Sequence, residues 1–181
     1  KDMIRIAQEK GILDKTVGGM DFLYCTLHRP YNVDKKERLE YILDSLGKIE
    51  RKVIFSAHPR TRNKMKTANI PEINFTNIQF LAPVGYFQNI AFQANTEAVI
   101  TDSGGMQKEA YMLKKQCITI RTETEWIETL KNSWNTLLFE NLEDMRTVLE
   151  MEKGAYQENL YGNGNAAKEI IEAIKIRLSK Q

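Results

Sequence analysis

The chain has 181 residues, 42% of them hydrophobic and 28% charged, which suits one globular domain with a sizeable core. A formal net charge of +2 is too small to single out nucleic acid or an acidic membrane surface as a partner, and no apolar run approaches the ~18 residues of a membrane helix. No signal peptide is visible. Cys25 and Cys117 lie in apolar runs without C-x-x-C spacing, which argues against structural zinc or a disulfide framework and for buried, reduced thiols in a cytoplasmic protein.

In chain order, the first residues open at Lys1 rather than Met and read as a helix already under way, so a fragment of a longer protein is expected. Phe22–Leu27 is the first strand candidate. Residues 34–50 follow as a helix, because Leu39, Ile42, Leu43, Leu46 and Ile49 recur at steps of three and four. Asp34 is the expected N-cap, with Glu37 three residues on as in a capping box. Val53–Ala57 and Ile78–Ala82 are the next strands, and 86–95 reads as a helix. Ala98–Thr101 is a fourth strand, 104–114 a helix, Cys117–Arg121 a fifth strand, Thr136–Phe139 a sixth, and 141–151 a further helix. The loop Tyr161-Gly162-Asn163-Gly164-Asn165 reads as a hinge or docking turn. Ala166–Leu178 closes the chain as a helix with Ile170, Ile171, Ile174 and Leu178 on one stripe. Strands and helices that alternate so regularly, with strands apolar on both faces, specify an α/β fold: a parallel sheet with helices on both faces and right-handed crossovers.

Ligands bind such sheets at the carboxyl ends of the strands, so the residues just after each strand carry the functional argument. The only two histidines stand there, His28 beside Arg29 and His58 close to Arg60. Imidazole with guanidinium suits a phosphate or carboxylate, which arginine's planar fork grips with two hydrogen bonds, and an imidazole that titrates near neutrality makes His28 a candidate acid or base. After the fourth strand comes Thr101-Asp102-Ser103-Gly104-Gly105. Glycines allow the backbone to approach a ligand, and the free N–H groups and dipole of a helix start attract an anion. Ser103 adds a hydroxyl donor, and Glu109, one and a half turns on, is placed to accept hydrogen bonds from ribose hydroxyls. The alternative is a plain turn in which Asp102 or Ser103 caps the helix. Neither Gly-Lys-Ser/Thr nor G-x-G-x-x-G is present. Arg121 ends the fifth strand on the same side, as a phosphate contact or as a partner for Glu109 or Asp102. Trp126 and Trp134 read as core rather than as a stacking platform, and Glu123 and Glu125 as a solvated helix start.

Taken as an ordered set, these residues resemble the non-hydrolysing UDP-N-acetylglucosamine 2-epimerases. The resemblance runs through His28, Arg29 and Asn32 (H-R-x-x-N), His58 to Arg60 (H-P-R), Pro83 with Tyr86, Thr101 to Gly105, Gln107, Glu109-Ala110, Arg121-x-x-Thr124-Glu125 and Tyr161-Gly162-x-Gly164-x-Ala166. It implies one Rossmann-like half, the C-terminal UDP-binding one, of a two-domain GT-B-type architecture, with residues 163–180 as a helix crossing to the other domain. It also implies interconversion of UDP-GlcNAc and UDP-ManNAc without NAD or any other cofactor, by elimination of UDP to a glycal and re-addition, in the supply of surface polysaccharide precursors. By resemblance, Ser103, Gly104 and Gly105 hold the diphosphate, Glu109 the ribose, and Pro83 to Phe87 the uracil. His28 matches a residue important for activity, Arg29 and Asn32 of the same loop are expected at the substrate, and His58 and Arg60 lie near the nucleotide. The acid and base carboxylates belong to the N-terminal domain, which is also the expected route of homodimerisation, so these residues alone are expected to bind UDP without turnover. The chain departs from the family pattern at Tyr31 and Lys108, where a glutamate is common, and at Trp126, where an arginine is common. These departures leave open an epimerase of a modified UDP-sugar such as a diacetamido uronic acid. A GT-B glycosyltransferase domain and a non-catalytic nucleotide sensor also fit the same residues.

Overall fold

Six short apolar runs become six strands because each alternates side chains to two faces that are both covered. A computed structural model describes residues 21–179; the helix expected at the first residues lies outside that range. The strands are β1 (Phe22–Thr26), β2 (Lys52–Ser56), β3 (Ile78–Leu81), β4 (Ala98–Thr101), β5 (Gln116–Thr119) and β6 (Asn135–Leu137). All pair in parallel, in the order β3-β2-β1-β4-β5-β6. The order reverses between β1 and β4, where Tyr24 lies opposite Val99 and Thr26 opposite Thr101. In sheets of this kind ligands bind at such a reversal, outside the carboxyl ends of the two strands.

The helices are α1 (Pro30–Val33), α2 (Lys36–Gly47), α3 (Pro59–Thr67), α4 (Tyr86–Asn95), α5 (Gly104–Met112), α6 (Met145–Glu150) and α7 (Ala166–Leu178). On one face of the sheet Leu23, Cys25, Val53, Phe55, Ile100 and Ile118 meet the α2 stripe Leu39, Ile42, Leu43 and Leu46, together with Met145 and Val148. On the other face the alternate residues Tyr24, Ile54, Val99 and Cys117 meet Phe92 of α4 and Met106 and Ala110 of α5. Each fully buried leucine or isoleucine in these layers contributes roughly 1.5–3 kcal/mol.

Three expectations change. Lys35, not Asp34, stands at the N-cap of α2 and makes no side-chain cap bond; Asp34 turns instead to Arg60 and Lys64 of α3. The α3 helix was not expected, because its nine residues bury only Thr61 and Met65 and carry no apolar stripe. Strand β5 ends at Thr119, two residues before the anticipated Arg121, whose N–H bonds the Thr119 carbonyl in a tight turn. The Tyr161–Asn165 loop is a turn in which Gly162 and Gly164 have φ of 84° and 85°, a region that favours glycine. Beyond it α7 buries no residue, and Ile170 and Ile174 are 58% and 53% exposed.

Candidate functional site

Strand β4 delivers Asp102 and Ser103 to the reversal point, and β1 delivers His28 and Arg29 beside them. Asp102 is fully buried. Its carboxylate accepts hydrogen bonds from the backbone N–H of His28 (3.1 Å to either oxygen) and of Arg29 (2.9 Å) and from the Asn32 amide (3.1 Å). His28 Nδ1 lies 3.2 Å from Asp102 Oδ1, so the proton belongs on Nδ1 and Nε2 is left as the acceptor. Arg29 Nε bonds the Asp102 carbonyl at 3.3 Å. The carboxylate therefore stitches the loop after β1 to the end of β4.

Asn32, expected at the ligand, is also fully buried. Its amide donates to Asp102 and, at 2.9 Å, to the Ile120 carbonyl, while its oxygen faces Arg38. It holds the loop and is not exposed to a ligand. His58 sits at the N-cap of α3 with Nδ1 accepting from the Arg60 N–H at 3.2 Å. That leaves Nε2 as its donor, and its ring centroid lies 5.7 Å from that of His28. The Arg60 guanidinium pairs with Asp34, Nε to Oδ1 at 3.0 Å, away from the histidines' shared edge. Arg60 in turn holds the Asp34 carboxyl below its ordinary value, chiefly by hydrogen bonding.

At the start of α5, Ser103 occupies the N-cap position without a side-chain cap bond, and its N–H goes back to Thr101 Oγ1 at 3.0 Å. Neither Asp102 nor Ser103 caps the helix, so neither gives the N–H groups of Gly104 and Gly105 a side-chain acceptor. Gly104 is also where the chain crowds: a Cβ there would lie 2.0 Å from Glu125 Oε1. Arg121 bonds Glu125 at 2.8 Å, so its partner is neither Glu109 nor Asp102. A backbone bond at Glu125 itself, then Arg121, holds the Glu125 carboxyl below its usual range.

Glu109 points away from that start toward α4, where Gln93 donates to its Oε2 at 2.7 Å. Tyr86, within the largely exposed Pro83–Phe87 segment, stands close to this carboxylate, and its phenol is raised first by burial and then by the Glu109 charge. Phe87 is 48% exposed and packs edge-on against Tyr86. The named residues thus fall into two groups: the histidines, Arg29, Asp102 and Ser103 follow the ends of β1, β2 and β4, and Glu109 and Phe87 belong to α5 and α4.

Two features were not read from the sequence. One is the Asp102 clamp. The other is a buried polar chain that fixes the Arg121–Trp126 loop: Thr124 Oγ1 donates to Gln107 Oε1, Asn135 donates to the same oxygen at 3.1 Å, and Thr119 donates to Asn135 at 2.7 Å. Buried Gln107, Thr119 and Asn135 on an otherwise apolar sheet end are the available signal, since such polar groups need partners. Lys108 and Trp126, two of the family departures, prove to touch: the Lys108 ammonium lies 4.9 Å from the indole centroid and 4.7 Å from that of Tyr161. A cation over two aromatic faces thus ties α5 to the loop after β5 and to the Tyr161 turn.

Among the described residues, no helix is long and apolar enough to cross a membrane. The family model described as UDP-N-acetylglucosamine 2-epimerase matches residues 1–175. A UDP-N-acetylglucosamine 2-epimerase homolog from Methanococcus maripaludis is 37% identical over 91% of this chain and 47% of its own length. A UDP-2,3-diacetamido-2,3-dideoxy-D-glucuronate 2-epimerase from Pseudomonas aeruginosa is 35% identical over 83% and 43%. The structure of Methanocaldococcus jannaschii UDP-GlcNAc 2-epimerase in complex with UDP-GlcNAc and UDP superposes with a TM-score of 0.83 at 32% identity, covering 97% of this chain and 51% of that one. The chain thus spans about half the length of the relatives it matches. With a Rossmann-like sheet of the GT-B type and this match along its length, the chain belongs to the UDP-N-acetylglucosamine 2-epimerase family.

Proposed function

We propose that this chain is the UDP-binding half of a non-hydrolysing UDP-GlcNAc 2-epimerase, which interconverts UDP-GlcNAc and UDP-ManNAc for surface polysaccharide precursors. The observation that carries the reading is the α5 start: two glycines without a side-chain cap at the sheet's reversal point, with a carboxylate six residues beyond Ser103. A diphosphate fits the free N–H groups and the helix dipole. Glu109 is braced on one oxygen by Gln93 and offers the other to ribose hydroxyls. The ligands named for the Methanocaldococcus jannaschii structure support the same assignment.

His28, with Nε2 turned to acceptor by Asp102, is the side chain here best arranged to take up a proton at the sugar. His58, a donor at Nε2, complements it. Arg29 and Arg121 add positive charge as the UDP leaving group develops its own negative charge. The carboxylates that move the C2 proton belong, in this reading, to an N-terminal domain. The exposed isoleucine stripe of α7 suits a helix that packs on that domain. Dimerisation through that domain and a cytoplasmic location complete the proposal.

Titration of the chain with UDP, UDP-GlcNAc and UMP tests it, with Ser103→Ala and Glu109→Ala as controls. UDP is expected to bind more tightly than UMP, and equal affinities would remove the diphosphate from the α5 start. The Pseudomonas aeruginosa relative favours a second reading, an epimerase of a diacetamido uronic acid nucleotide. Incubating the intact enzyme with each UDP-sugar alone separates the two, and it also excludes a glycosyltransferase if the C2 epimer forms without an acceptor.

A further inference from the structure

The loop after β5 brings a second kind of donor to the α5 start. A Cβ on Gly104 would lie 3.6 Å from Trp126 Nε1, so the indole nitrogen stands almost against the helix's first residue. That nitrogen is buried and has no hydrogen-bond partner among the described residues. Loose packing does not account for it. The ring sits edge-on to Tyr161 at 5.7 Å with the Lys108 ammonium at its face. The Trp126 backbone is matched, its N–H donating to Thr124 Oγ1 at 3.0 Å and its carbonyl accepting from Thr129 Oγ1 at 2.7 Å, whereas the hydroxyl of the neighbouring Tyr161 is, like the indole N–H, buried without a partner among the described residues. The other indole, Trp134, donates to the Gly154 carbonyl at 3.2 Å. A buried indole N–H left without an acceptor beside the start of α5 points to an acceptor from outside the chain.

The Glu125 carboxylate marks the space beside the indole. It lies against Gly104, the first residue of α5, and is paired with Arg121; a helix start attracts anions. We propose that Trp126 is a phosphate-binding residue: its indole N–H donates to an oxygen of a nucleoside diphosphate that displaces the Glu125 carboxylate from the start of α5, and Arg121 passes from Glu125 to the same diphosphate. This inference rests on the UDP-binding reading above and adds to it a side-chain donor and a resident competitor.

The chain has two tryptophans, so a ¹⁵N-labelled sample shows two indole N–H signals, and the Trp134 signal serves as internal control. Added UDP is expected to move the Trp126 signal downfield together with the Gly104 and Gly105 amides, whereas uridine moves neither set. If the glycine amides respond to UDP and the Trp126 indole does not, the inference is overturned and the UDP reading stands. If UDP moves none of these signals, both fall. Binding measurements give a second check. Trp126→Phe is expected to weaken UDP about tenfold and Glu125→Ala to tighten it roughly three- to fivefold, each leaving uridine unchanged. A Glu125→Ala chain that binds UDP no better than the parent would refute the displacement.

Discussion

Asp102 Oδ1 lies 3.2 Å from His28 Nδ1, across 74 residues of sequence, and the same carboxylate accepts the backbone N–H of His28 and of Arg29. One buried side chain thus fixes a histidine's tautomer and the loop that carries it. The sequence leaves Asp102 as a possible helix cap; the fold turns it toward β1 instead.

Replacing Asp102 by alanine strands the His28 and Arg29 N–H groups and the Asn32 amide in a buried place, at about 1–3 kcal/mol for each donor left unmatched. Asp102→Ala is therefore expected to lose about 3 kcal/mol or more of unfolding free energy in urea, and Asp102→Asn distinctly less. Imidazole ¹⁵N shifts offer a readout that packing alone would not move. The parent shows the Nδ1–H form of His28, and an unchanged tautomer in Asp102→Asn would contradict the assigned role.

Glu109 is expected to read the ribose. Glu109→Ala weakens UDP by roughly tenfold or more and changes the affinity for 2′-deoxy-UDP much less. Isothermal titration with both nucleotides checks this, and an equal loss for the two would take Glu109 off the ribose.

Gly104→Ala separates folding from binding. The new methyl clashes with the far end of the flexible Glu125 side chain, which can swing away, and touches Trp126 Nε1 at an ordinary contact distance, and alanine suits a helix better than glycine by roughly 0.5–1 kcal/mol. Thermal unfolding is expected to change little, while UDP affinity falls by about an order of magnitude as the anion loses its close approach to the backbone. A variant that binds UDP normally would show that no ligand comes near Gly104.

Asp34 gives the acid dependence. Arg60 and then Lys64 hold its carboxyl below the ordinary value in the folded chain, so the unfolded chain takes up this proton first as pH falls. The stabilisation is complete above the unfolded value of about 3.9 and is lost as pH drops through the lower folded one. Urea midpoints of the parent and Asp34→Asn are expected to differ at about pH 6 and to converge in acid once the folded carboxyl is itself protonated. A gap that persists in acid would place the effect elsewhere than in this ion pair.

Local pattern was enough for much of the fold. Apolar runs of four to six residues located all six strands, and helical spacing matched α4 and α7 end to end at 86–95 and 166–178. Both signals are properties of neighbouring residues, since burial on two faces demands continuous apolar strands and a helix needs its stripe. The α3 helix escaped because Pro59–Thr67 is polar and basic, held by Pro59 at its start and by only two buried side chains. In the site, position relative to a strand end was legible for His28, His58, Ser103 and Arg121. Pairing was not. Arg60 met Asp34, Arg121 met Glu125, and Asn32 and Asp102 met each other, because such choices depend on which of several charges the fold brings within 3 Å. The sequence by itself determined the sheet, its layers and the rim of strand ends where a ligand belongs, through short-range periodicity. Only the tertiary structure decided which side chains face that ligand and which brace the others, because hydrogen bonds between residues 70 or more apart leave no trace in local spacing.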